Sequence, residues 1–223
     1  MKARPRVGGA KLESWAVNRS PAGDSLELAF EVRPAEIRTW LTVARANSGG
    51  ETRRSHGIEL PYDDGSCARV ACRRGLQLLP DRSRALEEMR RVLVRHGEIE
   101  VAVRGSIERS PPFAELADSL ERHAGARGAA AVRWLFCMPE PDDLRGVLAA
   151  AAFEEIRVDV VRTTDRSSSI DEFLSSSRSE PRIVPEIVKS RVLEDLEHAL
   201  GSCMDENGLR ISMETIVGRA KRA

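Results

Sequence analysis

The feature that most constrains this chain is alternation. Short apolar runs of strand length exchange with longer segments of helical period along 223 residues. Strand-like runs cover 26–32, 53–56, 67–72, 98–103, 156–161 and 209–219. Helical spacing covers 35–46, where Ile37, Trp40, Leu41 and Ala44 recur on one side. It returns after Pro80-Asp81, where Ala85, Leu86, Met89, Val92 and Leu93 form one stripe, with His96-Gly97 as the stop. Further helices are predicted over 112–123, 141–152, 170–174 and 185–200, and 125–131 reads as a small, flexible link. Strands that alternate with helices close into a mostly parallel sheet covered on both faces, so the expected class is α/β.

Composition fits that plan. With 41% hydrophobic and 31% charged residues, the length suits one large domain over 1–223 better than two small ones. The formal net charge of +0 gives no global attraction to nucleic acid or an anionic membrane. The arginines between 69 and 95 are interleaved with Asp81, Glu87 and Glu88, so a solvated helix face explains them better than a nucleic-acid patch. Cys67, Cys72, Cys137 and Cys203 form no C-x-x-C pair and no zinc-spaced cluster; reduced thiols in a cytoplasmic protein, with no metal, are expected. The basic start is not followed by a long apolar run, so neither a signal peptide nor a membrane span is expected.

The stretch Leu60-Pro-Tyr-Asp-Asp-Gly-Ser-Cys-Ala-Arg-Val-Ala-Cys-Arg-Arg-Gly-Leu-Gln-Leu-Leu-Pro-Asp81 resembles the fourth-strand region of class I S-adenosylmethionine-dependent methyltransferases, nearest the small-molecule, quinone-ring branch. Ala85-Leu-Glu-Glu-Met-Arg-Arg-Val-Leu93 with His96-Gly97 is similar to the helix and glycine turn before that family's fifth strand. Segments 139–153 and 205–214 are similar to the approaches to its sixth and seventh strands. The resemblance implies a Rossmann-like sheet of seven strands with the last antiparallel. It also implies S-adenosylmethionine bound at the C-terminal ends of the first strands, where strand order reverses.

The cofactor half departs from the pattern. The family's glycine-rich loop is represented by Gly8 and Gly9, after a first strand that is short or missing, and 1–33 reads as a degenerate cofactor-loop region. Glu31 stands about 20 residues on, where an acid bonds the ribose hydroxyls. His56, followed by Gly57, replaces the aspartate that holds the adenine amino group. Cys67 and Ala68 replace a phenylalanine-aspartate pair, Cys72 and Arg73 replace the strand's tail, and Gly75 is kept. On the substrate side, a helical insertion over 104–140 offers Arg104 for an acidic acceptor and Trp134 and Phe136 for an apolar lining. Two functions stay open: methyl transfer to a small-molecule acceptor, or a non-catalytic scaffold of the same fold that has lost the cofactor. A homodimer or another protein partner is open under either.

Overall fold

A computed structural model describes the backbone of residues 25–33, 38–45 and 52–55, and residues 59–73, 75–79, 81–175 and 184–223 in full. The elements are β1 Ser25–Arg33, β2 Arg38–Arg45, β3 Thr52–Ser55, β4 Cys67–Arg73, α1 Arg82–Val92, β5 Leu93–Arg104, α2 Pro111–Trp134, α3 Pro141–Ala150, β6 Phe153–Ser167, α4 Ile170–Ser175, α5 Lys189–Ala199, β7 Met204–Asp205 and β8 Gly208–Arg222.

The sheet order is β3-β2-β1-β4-β5-β8-β6, with the short β7 paired onto β8. β1 runs parallel to β4, and β4 parallel to β5; β8 enters antiparallel between β5 and β6. Strands β1, β4, β5 and β6 therefore share one direction, and the long last strand opposes them. This is the Rossmann-like arrangement expected, including the antiparallel closing strand.

Alternate positions of β8 face opposite layers, as strand geometry requires. Ile216 and Ala220 join α1 and α3 in one core with Leu86, Met89, Leu144 and Leu148. Leu209, Ile211 and Met213 join α2, α4 and α5 in a second core with Phe113, Leu120, Phe173 and Val192. Asp81 caps α1 by accepting from Arg84 N at 2.9 Å. Pro141 and the acids Asp142 and Asp143 open α3, and Glu140 N donates to Asp143 at 3.0 Å. Helices thus cover both faces, with two hydrophobic cores.

Three local expectations change. Segment 38–45 is a strand, not a helix, and pairs antiparallel with β1 from Leu26↔Arg45 to Arg33↔Arg38. Its Thr39, Trp40, Thr42 and Val43 are β-branched or aromatic, and a long partner outweighs an ambiguous apolar period. Segment 125–131 is not a flexible link: it continues α2 past a kink at Gly125, where φ is 73°. α1 stops at Val92 rather than at the glycine, and His96 takes the left-handed φ of 61° inside a bend of β5. Gly97 follows because a Cβ there would stand 2.9 Å from Val94 O and 3.1 Å from Ala68 O.

Candidate functional site

Strand order reverses at β1, which has β2 on one side and β4 on the other. The crevice beyond the C-terminal ends of β1 and β4 is where such sheets take ligands. The β1–β4 register runs from Ser25↔Arg69 to Leu28↔Cys72. Glu31 therefore lies three positions past the last pair, roughly 10 Å further along the strand axis. It reaches the edge where Arg73 and Gly75 sit. The strand carrying Glu31, expected to be the second, is the first described and occupies the central place beside β4.

At that edge the chain turns back on itself. Cys72 is fully buried, and burial pushes its thiol up to about 12, against the opposing pull of backbone hydrogen bonds from Leu76 and Gly75. Its side chain belongs to the core, so only backbone is offered to a ligand there. Arg73 leans along the sheet toward Glu100, 3.8 Å away. Glu100 also accepts from Arg69 at 3.1 Å and Arg219 at 3.0 Å, making a charge lattice over β4, β5 and β8. Gly75 starts a 3₁₀ turn over Leu76–Leu78 at φ −112°, a conformation open to other residues.

Gln77 binds the next strand to this turn. It is 1% exposed, and its Oε1 accepts from Arg104 N at 3.4 Å. Arg104, which ends β5, is buried, with its guanidinium 4.7 Å from the Phe113 ring and 5.5 Å from that of Phe136. Phe136 is itself buried against Phe113 at 5.4 Å. Trp134 is half exposed and stacks under Arg82 at 5.3 Å, and Arg82 also donates to Cys137 Sγ at 2.9 Å. The cage around Arg104 thus brings Arg104 and Phe136 together and leaves Trp134 outside. Burial raises the Cys137 thiol, with Arg82 opposing that shift.

Sequence reasoning missed Glu214. This β8 carboxylate is fully buried beside the same edge, accepting from Arg109 at 2.8 Å and Arg162 at 3.4 Å. A Cβ on Gly105 would meet its Oε1 at 2.7 Å, so glycine makes room for it. The available signal was a lone charge in the otherwise uncharged run Ile211-Ser-Met-Glu-Thr-Ile-Val217. Gly8, Gly9, His56 and Gly57 lie outside the described residues. A surface cleft of about 310 Å³ lies elsewhere, between the C-terminal ends of α1 and α3, lined by Glu87, Glu88, Arg90, Arg91 and Ala150 to Ala152. Among the described residues, no helix is long and apolar enough to cross a membrane, and no cluster of three or more His, Cys, Asp or Glu is placed to hold a metal.

Residues 29–101 match a family model described as a methyltransferase domain. The match runs from the strand of Glu31 through β4 and α1 into β5, and it names the family that the motifs resemble without selecting a branch. No curated protein matches. Among solved structures, the YcgJ protein of Bacillus subtilis is 15% identical with a TM-score of 0.46, over 75% of this chain and 69% of that one. A SAM-dependent methyltransferase of Thermotoga maritima is 18% identical with a TM-score of 0.39, over 75% and 61%. Phosphoethanolamine N-methyltransferase 2 of Haemonchus contortus, in complex with S-adenosyl-L-methionine, is 10% identical with a TM-score of 0.39, over 75% and 36%.

Proposed function

We propose, from the match of residues 29–101 to a family model described as a methyltransferase domain, that this chain binds S-adenosylmethionine and methylates a small molecule. The observation that carries the reading is the switch point. The family match covers β4 and the second half of β1, the two strands that border it, and the register puts the Glu31 backbone level with the edge where Arg73 and Gly75 sit. The cofactor, when bound, supplies an activated methyl group for in-line displacement. Glu31 would bond its ribose hydroxyls, and Gly8 and Gly9 would let the backbone approach closely. His56 and Gly57 would border the adenine, and the backbone around Gly75 would line the methionine end. Cys72 would supply no polar side-chain contact, since its thiol is sealed and neutral. On the acceptor side, Arg104 and Phe136 form a buried cationic and aromatic wall that orients an acidic or planar acceptor and excludes water, with Trp134 at its rim.

A specific observation also favours the non-catalytic reading. Arg104 is held at 3% exposure by its aromatic cage, and Cys72 at 0%, so the described part of the edge is plugged by its own side chains. Calorimetry separates the two. The catalytic reading expects S-adenosylmethionine or S-adenosylhomocysteine to bind at about 10 micromolar, weakened about tenfold in Glu31→Ala by loss of one charged hydrogen bond. Absence of heat at millimolar ligand would refute it and leave the scaffold.

A further inference from the structure

Two ion pairs show that α2 turns back on itself. Arg133 donates to Asp118 at 3.2 Å and to Glu121 at 2.6 Å. In one continuous helix those partners would stand roughly 22 and 18 Å away along the axis, more than the side chains together can span. The chain therefore reverses between them, and Gly125 lies at the middle of the interval from 118 to 133. Gly125 has φ 73° and ψ 178°, a combination essentially reserved to glycine. A Cβ there would meet nothing within 4 Å, so the glycine answers to the turn and not to crowding. α2 is thus a hairpin of two helices, 111–124 and 126–134.

The two halves are held unequally. The first buries Phe113, Leu116, Ala117 and Leu120, and Ser119, Arg122 and His123 all bind Asp195 of α5. The second buries Ala129 and Val132, with Leu135 and Phe136 just beyond its end. After Phe136 the chain passes from the core of α2, α4 and α5 to the other core, where Met138 is buried. Segment 126–136 is therefore bounded by a glycine turn on one side and a crossing between cores on the other. Arg82 of α1 fastens it to the body of the sheet, stacking on Trp134 at 5.3 Å and donating to Cys137 Sγ at 2.9 Å.

This segment carries one wall of the cage around Arg104. The Phe136 ring lies 5.5 Å from the guanidinium, while Phe113, at 4.7 Å, belongs to the firmly held half. Lifting 126–136 removes the first ring and leaves the second in place. Elements that bury few side chains open below the free energy of global unfolding, and lids are drawn from them.

We propose that residues 126–136 form a lid, hinged at Gly125 and latched by Arg82, that opens as a unit to uncover Arg104. The plug at this part of the sheet edge is then a gate. The opening stands on the hairpin alone; that it admits an acceptor rests on the methyl transfer proposed above.

The test is amide hydrogen exchange on the full chain without ligand, read beside phenylglyoxal labelling of arginines by peptide mass spectrometry. In the wild type, 126–136 is expected to exchange about tenfold or more faster than 113–123. Arg82→Ala removes the latch and should speed exchange of 126–136 and labelling of Arg104 together, each about fivefold. Asp195→Asn loosens the half that stays in place when the lid lifts. It should speed exchange of 113–123 and leave both lid readings within about twofold of wild type. Equal exchange of the two halves, an Arg82→Ala that moves neither reading, Arg104 labelling that does not follow exchange of 126–136, or a lid that speeds up with 113–123 in Asp195→Asn would each overturn the proposal. Neither reading uses S-adenosylmethionine, so failure of the lid and failure of the methyl-transfer reading are told apart.

Discussion

Removing Arg109 tests whether the buried carboxylate beside the sheet edge is held by its ion pair. Glu214 has no exposed side-chain surface, and Arg109 Nη1 lies 2.8 Å from its Oε1. At that separation, an effective dielectric of 20 gives a gross attraction of roughly 6 kcal/mol. Most of it is offset by desolvating the acid, and Arg109 is 41% exposed, so solvent screens the pair. In Arg109→Ala, among the described residues, Arg162 alone remains paired with Glu214, at 3.4 Å and 78% exposed, and a buried charge is left poorly compensated. The variant also frees Glu140, which Arg109 ties to the start of α3 at 3.1 Å. The expected cost is about 2 kcal/mol in urea unfolding, or a drop in Tm of about 4–8 °C for a chain of this size. Glu214→Gln removes the charge that needs the arginine, so adding Arg109→Ala to it should cost about 1 kcal/mol less than adding it to the wild type. A single variant within about 0.5 kcal/mol of wild type, or a cycle that is simply additive, would refute the reasoning.

Two further outcomes follow from the structure. Asp195 accepts from Ser119 at 2.7 Å, Arg122 at 2.7 Å and His123 at 2.9 Å, and these bonds hold its carboxyl down to about 2. A depressed carboxyl stabilises the fold above its unfolded value of 3.8 and loses that contribution as pH falls toward 2. Asp195→Asn should therefore be less stable than wild type at pH 7, with the gap closing between about pH 4 and 2; a gap independent of pH would contradict the assignment. Cys67 and Cys72 are fully buried, and the Cys72 thiol is pushed up to about 12. Iodoacetamide at pH 8, followed by mass spectrometry, should label both only at the rate of unfolding, with partly exposed Cys203 reacting first. Rapid labelling of Cys72 would mean that the β4 edge is open.

Where one interaction dominated, the sequence was readable. α1 and α3 carry their caps and stripes in plain view, since Asp81, Pro141 and the Ala85–Met89 face act within one or two turns. β5 and β8 show strand-length apolar runs because each contributes to a buried face, while β6 buries Phe153 and packs Ile156 and Val158 only partly against the core. The 38–45 strand was hidden because Trp40, Leu41 and Ala44 satisfy a helical period, while its pairing with β1 is a matter of register rather than composition. The site was half legible. Glu31 was proposed from spacing and Gly75 from the resemblance, and the structure brings their backbones to one edge. The neutral burial of Cys72, the caging of Arg104 and the buried Glu214 depend on residues far away in sequence, such as Phe113, Phe136 and Arg109. No local pattern carries that information.

The place of β8 also governs how the chain gets to this state. It sits between β5 and β6, pairing Glu98 with Lys221 and Ser167 with Leu209, so neither neighbour can acquire its inner partner until β8 has been made. Both cores draw side chains from this strand and cannot consolidate earlier. On the ribosome, β5 and β6 must therefore wait with unsatisfied edges through the synthesis of α4 and α5. Closure joins residues more than a hundred positions apart, a topology that folds slowly and leaves sheet edges exposed to other chains in the meantime. Its yield should respond to chaperones and expression temperature more than its final stability does.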